Sequence, residues 1–135
     1  MGLGVLFVGL DGPILVPSPH PDILLKAGIV PYSKPFLFWA TSCFKVLWLS
    51  QRPPAHAFRV AELLGLPGDA IAYAGFKRSR IEAIARFPNS VWVDGALSPA
   101  EIAWVQSSRA AQYVSAPTGV TSKHKAMLER LIAGR

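Results

Sequence analysis

Four aspartates occur in the chain, and two of them, Asp11 and Asp94, each close an apolar run and precede a glycine: Val5-Leu-Phe-Val-Gly-Leu-Asp11-Gly12 and Ser90-Val-Trp-Val-Asp94-Gly95. Carboxylates brought to one edge of a fold are the groups that acid–base chemistry or oxygen ligation of a cation requires. A third apolar run, Val46-Leu-Trp-Leu-Ser50, ends in a hydroxyl and continues into Gln51 and Arg52. Each of these features also has an ordinary structural use. Asp11-Gly12-Pro13 and Asp94-Gly95 are turn sequences, Ser50 can cap a following helix or contact a phosphate, and Lys77 with Arg78 and Arg80 can form a solvated basic face. His20, His56 and His124 have no metal-ligand spacing, and Cys43 and the tryptophans read as core.

Short apolar runs separated by helical patterns would gather these residues. Gly2 to Leu10 is rich in Val, Leu and Phe and lacks polar alternation, so it reads as a strand buried on both faces, as in a parallel sheet. Val46 to Leu49 and Ser90 to Val93 read likewise, with shorter strands expected over Ile71 to Ala74 and Gln112 to Val114. Helices are predicted over Phe36 to Phe44, Pro54 to Leu64, Arg78 to Arg86, Pro99 to Ser107 after the N-cap Ser98, and Ser122 to Ile132. Phe58, Ala61, Leu63 and Leu64 form the expected inner face of the second, and Met127, Leu128, Leu131 and Ile132 that of the last. Val16 to Pro35 carries five prolines and reads as a long connection with one helical turn around Ile23 to Ala27. This alternation predicts an α/β fold: one Rossmann-like parallel sheet with helices on both faces, in a single domain spanning 1–135. Ligands of such sheets bind beyond the carboxyl ends of the strands, where Asp11, Ser50-Gln51-Arg52 and Asp94-Gly95 fall.

The composition agrees with one packed domain. Of 135 residues, 51% are hydrophobic and 16% charged, which excludes intrinsic disorder. The lone Cys43 excludes an internal disulfide framework and a multi-cysteine zinc site, and fits a reducing, cytoplasmic compartment. The apolar stretch Phe36 to Leu49 is interrupted by Thr41, Ser42 and Lys45 and falls short of the roughly 20 residues of a membrane span, so no membrane partner is expected. Leu3 to Val8 is apolar but lacks a preceding Lys or Arg and runs into Asp11, unlike a signal peptide. A net charge of +6 favours phosphates, nucleic acid or anionic surfaces, and the apolar excess suits a homodimer.

Val5 to Leu15 resembles the first motif of the haloacid dehalogenase-like (HAD) phosphohydrolase superfamily, an apolar strand ending in Asp-x-Asp-Gly-Thr/Val-Leu. Val46 to Ser50 is similar to the second motif, Lys77 stands before a helix and a strand like the third-motif lysine, and Ser90 to Ser98 resembles the fourth. The four run in order across residues 3–114. The short helical connections, Ala103-Trp104 and Gly119-Val-Thr-x-x-His124 resemble the small capless HAD domains of nucleic-acid repair proteins. The resemblance implies a capless HAD-like fold in which the leading Asp attacks phosphorus, the Asp two residues on is the acid and base, and the fourth-motif acids hold Mg²⁺ with the first motif. Here the leading position is Gly9, Asp11 fills the second, Gly95 follows Asp94 where a second acid often stands, and Pro13 replaces Thr or Val. The implied site is therefore Asp11, Ser50 and Lys77 for phosphate handling, with Asp11 and Asp94 as ligands of a weak Mg²⁺ site, and no nucleophile.

Three functions fit these residues. The first is a catalytically degenerate phosphohydrolase-fold protein that retains phosphate, nucleotide or protein binding, because Gly9 and Gly95 replace acids in two motifs. The second is an active Mg²⁺-dependent phosphatase in which Asp11 is the base for a metal-bound water and Asp94 a ligand. The third is a basic nucleic-acid-binding module using Lys77, Arg78, Arg80 and Arg86 with Lys123, Lys125 and Arg130. A chain this short has no room for a large cap, so selection of a phosphorylated small molecule or nucleic acid falls to the 16–35 loop or to a partner chain.

Overall fold

The structure, a computed structural model, describes residues 4–16, 28–108 and 111–134. The apolar runs form strands β1 (Gly4–Gly9), β2 (Phe44–Ser50), β3 (Ala72–Gly75), β4 (Ser90–Asp94) and β5 (Ala111–Ser115). All pair in parallel, in the order β3-β2-β1-β4-β5. β4 is buried at every position and β2 at all but Lys45, which is why neither sequence alternates.

Helices α1 (Ser33–Cys43), α2 (Pro54–Leu63) and α5 (Ser122–Ala133) cover one face of the sheet, and α3 (Ile81–Ile84) and α4 (Pro99–Ser107) the other. The period of two along a strand sorts the side chains between these layers. Leu6, Val8, Val46 and Trp48 meet Phe36 and Ala40 of α1, Ala57 and Val60 of α2 and Leu128 of α5. Phe7, Leu47, Leu49 and Trp92 meet Ala83 and Ile84 of α3 and Trp104 and Val105 of α4. The single α/β sheet covered on both sides is thus the architecture that the sequence predicts.

Several boundaries and faces differ from expectation. The helix expected over residues 78–86 is reduced to the four residues of α3, and at its start the backbone N–H of the N-cap Arg80 and its side chain both turn to Glu101. α2 buries Ala57, Val60 and Ala61 and leaves Phe58 49% exposed, and α5 buries Leu128 and leaves Ile132 38% exposed. α1 begins at Ser33, with Pro35 in its first turn, where a missing N–H has no intrahelical acceptor to lose. The turn expected at Ile23 to Ala27 lies outside the described residues. Among the described residues, no helix is long and apolar enough to cross a membrane.

The chain winds from β1 outward to β2 and β3, then returns to the other side of β1 for β4 and β5. The carboxyl ends of β1 and β4 therefore flank the point where the winding reverses, the place where open α/β sheets leave a crevice.

Candidate functional site

That crevice is a cleft of about 640 Å³, lined by Asp11, Ser50, Arg52, His56, Arg78, Arg80, Asp94 and Glu101 among others. Asp11 enters it from the turn after β1. Gly12 adopts a left-handed φ of 103°, and hydrogen bonds from Gly12 N–H to Leu15 and from Leu15 N–H to Leu10 close the turn and present the Asp11 side chain outward. Arg52 meets it there: Nε lies 3.1 and 2.9 Å from the two carboxylate oxygens, and Nη2 2.7 Å from Oδ1. Arg52 Nη1 is also 3.3 Å from His56 Nδ1, its N–H donates to Ser50 Oγ at 2.9 Å, and its carbonyl accepts from the Tyr73 hydroxyl at 2.5 Å.

Asp94, at the end of β4, is 5% exposed. Trp92 Nε1 donates to its Oδ2 at 3.0 Å, Gly95 N–H to its Oδ1 at 2.7 Å, and Arg80 Nη1 lies 3.1 Å from Oδ2. Burial pushes the Asp94 carboxyl above the usual carboxylate range, against the opposing pull of Arg80 and of the Trp92 and Gly95 donors. Arg80 is shared: its Nε lies 3.3 Å from Glu101 Oε2, its Nη2 donates to the Ala96 carbonyl, and its guanidinium stands over the Trp92 ring. Glu101 is itself buried and forms a capping box with Ser98 at the start of α4.

Gly9 ends β1 beside Asp94. A Cβ on Gly9 would lie 2.0 Å from Asp94 Oδ1 and 2.4 Å from its Cγ, so the carboxylate fills the space that a side chain at position 9 would need.

Of the residues singled out in the sequence, Asp11, Ser50 and Asp94 converge on the cleft, and Lys77 does not line it. Lys77 is exposed; its carbonyl accepts from Gln51 and its N–H donates to Glu82, which fixes the backbone and leaves the side chain outside. Arg78 and Arg80 line the cleft in its place. Lys77, Arg78, Arg80 and Arg86 share no helix face, since only Ile81–Ile84 is helical and Arg80 turns inward. Sequence reasoning missed the site roles of Arg80 and Glu101. The Ser98-x-x-Glu101 spacing signalled the cap, and nothing local signalled the arginine it holds.

Comparison with known structures finds the HAD domain of effector protein Lem4 from Legionella pneumophila, with a TM-score of 0.67 over 97% of this chain and 94% of that one, at 10% sequence identity. The fold is that of a HAD domain. No protein-family model matches the chain, and no curated protein matches it. The HAD fold places Asp11, Ser50 and Asp94 at one edge through three different strands, which explains how residues so distant in sequence meet.

Mg²⁺ takes oxygen ligands in near-octahedral geometry. Among the described residues, no group of three or more His, Cys, Asp or Glu side chains is placed to hold a metal ion. Asp11 is gripped by Arg52 and Asp94 by Arg80, so each carboxylate expected to ligate the ion already has a guanidinium against it. The donors as arranged do not fit Mg²⁺.

Proposed function

We propose that this chain is a HAD-fold protein that performs no aspartyl-phosphate chemistry and keeps its cleft as a binding site. One observation carries this reading: the Asp94 carboxylate stands in the space that a side chain at Gly9 would occupy. A nucleophile at that position would need both a side chain and free space above it. The chain lacks the first, and Asp94, held by Trp92, Gly95 and Arg80, closes the second. The remaining carboxylate, Asp11, is bound by Arg52, whose guanidinium occupies the oxygens that would accept a proton from water.

The test is phosphate release from an aryl phosphate, nucleotides and phosphorylated oligonucleotides with Mg²⁺ present, comparing the natural protein with Asp11→Asn. Release at the buffer rate for both is the expected result. Turnover by the natural protein that Asp11→Asn abolishes would overturn the reading of the cleft as a binding site alone, in favour of a phosphatase in which water attacks.

A further inference from the structure

We propose that the exposed side of α1 and α5 docks on an anionic lipid bilayer, the Phe38 ring entering the headgroup region and the surrounding lysines meeting the negative surface. Cations and rings alternate across these two helices. Lys34 Nζ stands 5.9 Å from the centroid of the Phe38 ring, one turn on, and Lys125 Nζ of α5 stands 5.6 Å from the centroid of the adjacent Trp39. Phe38 is 45% exposed; Trp39 is half-buried, its ring resting against Phe36 and Phe44. Ile132, two turns after Lys125 and on the same side of α5, is exposed as well. α1 contains no acidic residue, and α5 carries Lys123, Lys125 and Arg130 against Glu129 alone. No ion pair among the described residues involves Lys34 or the three cations of α5.

The charge of this surface selects an anionic partner, and the arrangement of its rings selects a bilayer. A cation held over a ring closes that face to a stacked base, so Phe38 and Trp39 suit a single-stranded nucleic acid poorly. Ile132 adds contact for lipid and none for a phosphodiester. At a bilayer both members of each pair are used: the ring settles at the level of the headgroups, and the flexible lysine stem carries its charge to anionic lipid. Phe36, Leu37 and Ala40 of α1 and Leu128 of α5 stay in the core, so docking asks for no unfolding. Among the described residues no helix is long and apolar enough to cross a bilayer, and attachment to its surface needs none. Apolar insertion and charge are each weak alone, so the contact depends on both.

The full chain is mixed with vesicles of phosphatidylcholine alone and of phosphatidylcholine with phosphatidylserine at about two to one, and bound protein is read by co-sedimentation. The expected result is binding to the anionic vesicles only, weakening as salt rises. Lys34→Gln and Lys125→Gln each lower the partition coefficient about fivefold and flatten its salt dependence. Phe38→Ser lowers it about fivefold and keeps the salt dependence. Lys77→Gln, which makes the same change in net charge, and Ile102→Ser, on the exposed side of α4 in the other helix layer, leave binding unchanged. Trp48 and Trp92 are buried and Trp104 lies in that other layer, so quenching by brominated lipid reports Trp39 and disappears in Trp39→Phe. Absence of binding, equal binding to both vesicles, an equal loss in Lys77→Gln, or quenching that persists in Trp39→Phe overturns the proposal. Binding of a single-stranded oligonucleotide where vesicles fail, lost in Lys34→Gln and Lys125→Gln, overturns it too and assigns the surface to nucleic acid.

Discussion

The carboxylate of Asp94 occupies the place of a side chain on Gly9: Oδ1 stands 2.0 Å from where a Cβ would be. Glycine at the end of β1 is thus used for close approach, not for an unusual backbone angle. The relationship is reciprocal. The missing side chain lets Asp94 lie inward, and inward Asp94 reaches Trp92 Nε1, Gly95 N–H and Arg80 together. The pairing joins the two strands at the switch point of the sheet and converts a position next to the crevice into packed interior.

Gly9→Ala must therefore expel Asp94 from its three contacts. Overpacking a filled site costs about 1–3 kcal/mol, and we expect a loss in that range from urea denaturation. Asp94→Ala alone leaves Trp92 Nε1 and one side of Arg80 without a partner, at about 1–3 kcal/mol. The double variant has room for the new methyl, so it should cost little more than Asp94→Ala, giving a coupling of about 1–2 kcal/mol. Additive losses would show that the two residues do not share this space.

Stability should also depend on pH through Asp94, with a sign opposite to that of an ordinary paired carboxylate. Burial raises its folded pKa above the unfolded value, so between the two the native state binds more protons than the unfolded state. The contribution of Asp94 is then fully favourable below the unfolded pKa and declines as pH rises through the raised folded value. Asp94→Asn removes this slope. Melting temperatures of the natural protein and the variant, compared from about pH 4 to about pH 7, should show the natural protein losing ground as pH rises. A difference that is flat or grows with pH would contradict the burial of the charge.

The sheet was legible in the sequence because its central strands are apolar at nearly every position, and Asp11, Ser50 and Asp94 were legible because each ends such a run. The counter-ions were not. Arg52 lies 41 residues from Asp11 and Arg80 lies 14 before Asp94, so only the closed sheet brings them together. Lys77 was expected at the cleft from its order in the chain, yet Gln51 and Glu82 hold its backbone so that Arg78 and Arg80 face inward. The exposed Phe58 shows a related limit: a helical period gives the spacing of the buried stripe, and contacts made elsewhere decide which neighbouring residue leads it.

Glu101 links the cap of α4 to the charge balance of the cleft, and the two duties can be separated. Ser98→Ala removes the side-chain half of the cap and should cost about 1 kcal/mol. Glu101→Ala also strips Arg80 of a buried partner, so the expected loss rises to about 3–5 kcal/mol. Glu101→Gln keeps the shape without the charge and should fall between them. Equal losses for Ser98→Ala and Glu101→Ala, read from denaturant midpoints, would mean that Arg80 gains nothing from Glu101.

Tyr73 supports Arg52 from β3, its hydroxyl donating to the Arg52 carbonyl at 2.5 Å. Two residues on, a Cβ at Gly75 would come within 2.8 Å of the Tyr73 ring and 2.9 Å of its hydroxyl oxygen, so this glycine leaves the ring its place. Tyr73→Phe deletes one hydrogen bond and should cost about 0.5–1.5 kcal/mol. Gly75→Ala displaces the hydroxyl by pressing on the ring and should cost a similar amount, with the same loosening of Arg52. Because both changes reach Arg52 through one hydrogen bond, the double variant should lose less than the sum of the singles in thermal denaturation. Full additivity would place the effect of Gly75→Ala in β3 itself and remove Tyr73 as its route to the cleft.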